Sequence, residues 1–131
     1  ETGALGNTQK LVVSQQHRVL IQSPATDMLF GASEVFVAAK HLCGLPGVSI
    51  RPTDCITYTH FMFDRHELVM SDGTWTESFQ PGDLSLAGLD EDQRNELLTL
   101  FPELGHTVGQ ENYASARMSL RAYQARLLSE A

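Results

Sequence analysis

Pro81 divides this chain into two stretches with different hydrophobic periods. Before it, apolar residues come in short runs rich in Val, Ile, Thr and aromatics, broken every few residues by Gly, Pro or Asp. Such runs suit strands, whose side chains alternate faces, and the breaks suit turns. After it, apolar residues recur at spacings of three and four, the period of a helix face. The chain therefore reads as a mainly β unit over residues 1–80 followed by a helical extension over 81–131. The expected strands are Leu11–Val13, Arg18–Gln22, Val35–Val37, Ile56–Phe63, Glu67–Met70 and Thr74–Glu77. "SDG" joins the last two as a hairpin turn, "LPG" before Val48 makes a second turn, and "AAKHL" reads as one helical turn. Asp90 and Gln93 form a capping-box pair for the helix "LDEDQRNELLTLF", which Pro102 ends. A second helix is expected from Glu111 to Ser129, where Tyr113, Ala116, Leu120, Tyr123 and Leu127 share one face.

The formal net charge of −7 argues against nucleic acid or anionic lipid as a partner. No apolar segment approaches the length of a membrane span and the first residues do not resemble a signal peptide, which leaves the compartment open. Cys43 and Cys55 fit neither a disulfide framework nor a zinc-finger spacing; they read as two buried free thiols, with pairing as the alternative. No feature points to a cofactor. The opening "ETGALGNTQK" is polar and turn-rich, either a loop of something larger or in part a remnant of cloning.

The chemistry-bearing residues lie in the β stretch. In "LVVSQQHRVLI" strand alternation puts His17 on a face with Val13, Val19 and Ile21, and turns Arg18 toward water. His60 likewise shares a face with Ile56, Tyr58 and Met62, and His66 follows Asp64 and Arg65 at a bend. The plain reading of any one of these is a core histidine satisfied by backbone carbonyls. His60, Asp64, His66 and Glu67 also offer metal-ligand chemistry, although no pair has the i, i+4 spacing of a helical zinc site. A third reading is a non-catalytic interaction module that presents the amphipathic helix at Glu111–Ser129; docking of that helix on its own β unit is the simpler fate.

Three segments in order resemble one family. "LVVSQQHRVLI" is similar to the Hint-domain motif in which a Thr or Ser, two variable residues and a His lie between apolar strands; Ser14 and His17 match it. "EVFVAAKHL" resembles the next Hint segment, a strand and a short helical turn. "YTHFMFDRHELVMSDGTWTES" is similar to the C-terminal block, with Tyr58, His66 and Gly73 at matching positions, and the helical tail with "LFPEL" follows in the same order as in bacterial intein-like Hint domains. The resemblance runs from Gly3 to about Leu104.

The resemblance implies a disc of long bent strands that rearranges its own backbone by an acyl shift, as inteins and hedgehog autoprocessing domains do. His17 is then the acid that protonates the departing amide nitrogen, Ser14 orients the strained peptide, and His66 assists later chemistry at the C-terminal junction. His60, Asp64 and Ser78 are secondary candidates. No metal or cofactor is implied. No nucleophile-bearing block precedes Ser14, so the chain reads as the later portion of such a domain, inactive alone. Its expected partner is the N-terminal portion, in cis or as a separate chain, with a homodimer through unpaired strand edges as the alternative. Glu77 and Ser78 stand where inteins end in His-Asn, and neither side chain forms a succinimide. Acyl shift followed by hydrolysis or transfer is therefore implied, rather than full splicing.

Overall fold

The structure, a computed structural model, describes residues 1–57, 61–80, 89–105 and 115–130. Among the described residues five strands form one sheet: β1 (Arg18–Gln22), β2 (Glu34–Ala38), β3 (Leu68–Ser71), β4 (Thr74–Glu77) and β5 (Met118–Ser119), in the order β3-β4-β1-β2-β5. β1 and β2 pair antiparallel over their full length, with Val19 opposite Val37. β3 and β4 form the expected hairpin. Its turn carries Asp72 at φ 49° and Gly73 at φ 84°, the left-handed pair that matches the twist of two strands. Thr8 packs against that turn and donates its N–H to the Asp72 carbonyl, so a Cβ on Gly73 would meet the Thr8 methyl at 3.0 Å.

The interior strand β2 carries three buried residues in a row, Val35, Phe36 and Val37, because both faces of the sheet are covered there. On one face Val19, Val35, Val37, Leu42, Leu120 and Ala125 form the buried core, with Ile21, Phe30 and Leu128 packed against it. Helix α1 (Pro24–Phe30) crosses from β1 to β2 and supplies Phe30. Ser23 caps it in a reciprocal pair with Thr26, Pro24 opens it, and Gly31 closes it in the left-handed conformation. A 3-10 turn at Ala39–Leu42 follows β2, as "AAKHL" predicts, and "LPG" makes its turn with Gly47 at positive φ. Helix α2 (Glu91–Leu100) has the Asp90–Gln93 capping box.

The fold is thus the expected β sheet with helices after Pro81, and several local expectations are corrected. Leu11–Val13 forms no strand. Of Ile56–Phe63, residues 56–57 and 61–63 carry no strand, and Tyr58 to His60 lie outside the described residues. Glu111 and Tyr113 also lie outside them. The final helix, α3, spans Ala122–Glu130 rather than starting near Glu111, because Met118 and Ser119 leave the helical pattern to pair in parallel with Val35 and Phe36. Backbone donors and acceptors on the edge of β2 are met only if this segment extends, and that outweighs its helical spacing. α3 buries Ala125 and packs Leu128 on the core, leaving Tyr123 and Leu127 exposed. Cys43 and Cys55 are free but exposed, not buried, since each sits in a loop beyond the covered faces. Among the described residues no helix is long and apolar enough to cross a membrane.

Candidate functional site

Ser14 and His17 bracket a tight turn that leads into β1. The His17 N–H donates to the Ser14 carbonyl at 3.1 Å, which brings the two ends of "SQQH" together. The turn is pinned to the 3-10 segment after β2: Ala39 N–H donates to the His17 carbonyl at 2.8 Å, and Lys40 N–H to the Gln15 carbonyl at 3.0 Å. His17 is half-buried, one residue before the strand and not within it. Its expected parity with Val13 across a continuous strand is therefore replaced by a turn, which "QQ" permits and the backbone bonds to β2 enforce.

One residue on, Arg18 does not point to open water. Its Nε donates to Glu77 Oε2 at 2.8 Å, its backbone N–H to Glu77 Oε1 at 2.9 Å, and its guanidinium also reaches Ser119 Oγ and Gln80 Oε1. The guanidinium carbon lies 5.5 Å from the centre of the Phe36 ring. This correction comes from pairing: Val19 opposite Thr76 places Glu77 across from Arg18, on the sheet face away from the valine core.

His66 lies in the same cluster, with its side chain wholly shielded from solvent. The Ala116 N–H donates to its Nδ1 at 2.8 Å, so Nδ1 carries no proton and the ring hydrogen is on Nε2. Nε2 donates to Glu77 Oε2, also at 2.8 Å. The ring packs at a tilt on Phe36, centres 5.3 Å apart. Sequence spacing marked His66 but missed Glu77, Arg18, Ser119 and Ala116 as its surroundings. The available signal was a Glu at the end of a strand in which Thr74 and Thr76 take the core side.

Burial of Glu77 alone would raise its pKa. The hydrogen bonds from His66 and Arg18, with the Arg18 charge, more than offset that and hold the carboxyl below its ordinary 4.5. A carboxyl depressed in the folded state stabilises the fold above its unfolded value, and that contribution fades as pH falls through the folded value. Urea midpoints should therefore drop below about pH 4.5, and Glu77→Gln should flatten that drop while lowering stability near neutrality. Parallel slopes for the two proteins would contradict this account.

Ser78 is buried and holds the hairpin closed, its Oγ accepting the Glu67 N–H and its own N–H donating to the Glu67 carbonyl, each at 2.9 Å. Asp64 lines a shallow depression with Met62, Phe63, Arg65, Glu67 and Phe101, apart from the other candidates. His60 lies outside the described residues. Among the described residues no three His, Cys, Asp or Glu side chains converge as metal ligands. The structure thus brings Ser14 to His17, and His66 to Glu77 and Arg18, with β1 linking the two groups.

Comparison with curated proteins and with solved structures found no match. The family model of the Hint domain matches residues 1–83, taking in the polar opening, the Ser14–His17 turn, the β1–β4 sheet and the His66–Glu77 pair. The chain belongs to the Hint domain family.

Proposed function

We propose that this chain is the C-terminal portion of a bacterial intein-like autoprocessing domain, which cleaves or rearranges its own backbone by an acyl shift. The observation that carries the reading is the Ser14–His17 turn, because it sets a hydroxyl and an imidazole at one point of the backbone, half-buried and held by two hydrogen bonds from the segment after β2. An acyl shift expels an amide nitrogen, which leaves only if protonated, and a positioned imidazole is suited to deliver that proton. Ser14 orients the peptide with its hydroxyl. His66 assists the later chemistry at the C-terminal junction; with Ala116 in place both its ring nitrogens are engaged.

The nucleophile is assigned to the N-terminal portion of the domain, in cis or as a separate chain. The outer edge of β3 has no partner strand among the described residues, and it offers that portion a place to pair. The interaction-module reading is weaker, because α3 packs Ala125 and Leu128 on this chain's own core, with Tyr123 and Leu127 left exposed.

The test uses hydroxylamine or dithiothreitol, which intercept an ester or thioester. The chain alone should keep its mass under either reagent, whereas mixing with the N-terminal portion should yield a cleaved product and the corresponding hydroxamate or thiol adduct. Cleavage of the chain alone would overturn the division of labour, and no adduct after mixing would overturn the acyl shift.

A further inference from the structure

Residues 115–120 lie beyond the matched family region, yet they cover His66, a buried histidine within it. His66 and Glu77 have the make-up of a carboxylate-oriented base: the carboxylate holds the Nε2 proton, and the lone pair of Nδ1 is left to accept another. What occupies that lone pair is the backbone N–H of Ala116 at 2.8 Å. We propose that residues 115–120 form an inhibitory strap that masks His66 as a general base, and that the base is uncovered when the strap leaves the sheet.

The strap is held by a handful of bonds. β5 is only two residues long, Leu120 N–H donates to the Phe36 carbonyl at 2.8 Å, and Arg117 pairs with Glu34 at a partly exposed site. Ser119 Oγ accepts from the Arg18 guanidinium. Leu120 places the strap in the buried core, where Ala125 of the following helix α3 also lies, so the anchor is mainly apolar. A short edge strand with one anchoring side chain opens more readily than the β1–β2 pair, and local opening of such a segment is an ordinary native-state event. Arg18 and Glu77 do not depend on the strap for their pairing, so the oriented imidazole persists after it leaves.

The uncovered base would serve the resolution of an acyl ester, and in this it rests on the acyl-shift reading. Nδ1 takes a proton from a water that attacks the ester carbonyl carbon, and a new carbon–oxygen bond forms. The ester carbon–oxygen bond breaks, the leaving oxygen receives the proton, and Nε2–H stays on Glu77 throughout.

The experiment asks only whether the strap controls Nδ1, so it succeeds or fails independently of the acyl shift. Diethyl pyrocarbonate acylates an imidazole through a free lone pair, and mass spectrometry reads each histidine of the full chain. His66 should react roughly 100-fold or more slowly in the folded chain than in urea, with an opening constant matching amide exchange at Leu120 and exceeding that at Val19 and Val37. Leu120→Ser should raise His66 acylation and Leu120-region exchange together, by roughly tenfold or more, leaving exchange at Val19 and Val37 slow. Acylation that follows Val19 and Val37 instead of the strap would overturn the proposal, as would a His66 that reacts as fast folded as unfolded. If Leu120→Ser unfolds the sheet, the comparison of acylation with exchange in the unaltered chain still decides.

Discussion

Arg18→Met should lower the stability of the chain by about 3 kcal/mol, the cost of stranding one member of a buried ion pair. Methionine keeps the length of the aliphatic stem but removes the guanidinium that lies over the Phe36 ring. What goes is the guanidinium, which gives Glu77 a charge-assisted Nε bond at 2.8 Å and a second approach at 2.6 Å. Glu77 is left nearly buried with His66 Nε2 and the Arg18 backbone N–H as its donors. The same substitution takes a donor from Ser119 Oγ and from Gln80 Oε1. Arg18→Met with Glu77→Gln should recover part of the loss, because a neutral amide is cheaper to leave unpaired than a carboxylate. Urea unfolding of the two single variants and the double closes the cycle. A loss under about 1 kcal/mol for Arg18→Met would place the pair among ordinary surface ion pairs.

His17→Ala in the reassembled domain should slow the acyl shift by roughly 100-fold or more, the usual contribution of a positioned general acid. Ser14→Ala should cost less, since one orienting hydrogen bond contributes about 1 kcal/mol, or some fivefold in rate. The double variant should be little slower than His17→Ala, because an orienter has nothing left to orient. Melting curves must accompany the rates: His17 is half-buried, and its backbone ties β1 to the turn after β2. Those ties are main-chain bonds and survive the substitution. An unchanged rate with a lowered melting temperature would make His17 a structural residue and remove Ser14 from the chemistry with it.

Much of the sheet was legible because its signals are local. "RVLIQ" and "TWTE" alternate between a core-facing and an outward set, and "SDG" needs only its own left-handed pair to form the turn. The Asp90 capping box and the single turn of "AAKHL" are equally short-range. α1 went unassigned although Ser23, Pro24 and Gly31 bracket it with standard start and stop signals. Its seven residues leave Met28 and Leu29 exposed, so it shows no apolar periodicity to detect. The segment at 115–121 failed in the opposite direction. Its spacing was helical, and the free edge of β2 drew it into the sheet.

The candidate site divides along the same line. Ser14 and His17 are three residues apart, and a four-residue turn is enough to join them. By itself, then, the sequence determined the β unit, its hairpin and the capped helix after Pro81, and it marked Ser14 and His17 without the turn that joins them. Only the tertiary structure decided that Arg18 meets Glu77, that Glu77 holds the ring proton of His66, and that Ala116 takes the other nitrogen. These partners are separated by 59, 11 and 50 residues. Strand register and edge pairing bring them together, and neither is encoded by the pattern of any single segment, because a side chain's partner across a sheet is set by which strand lies beside it.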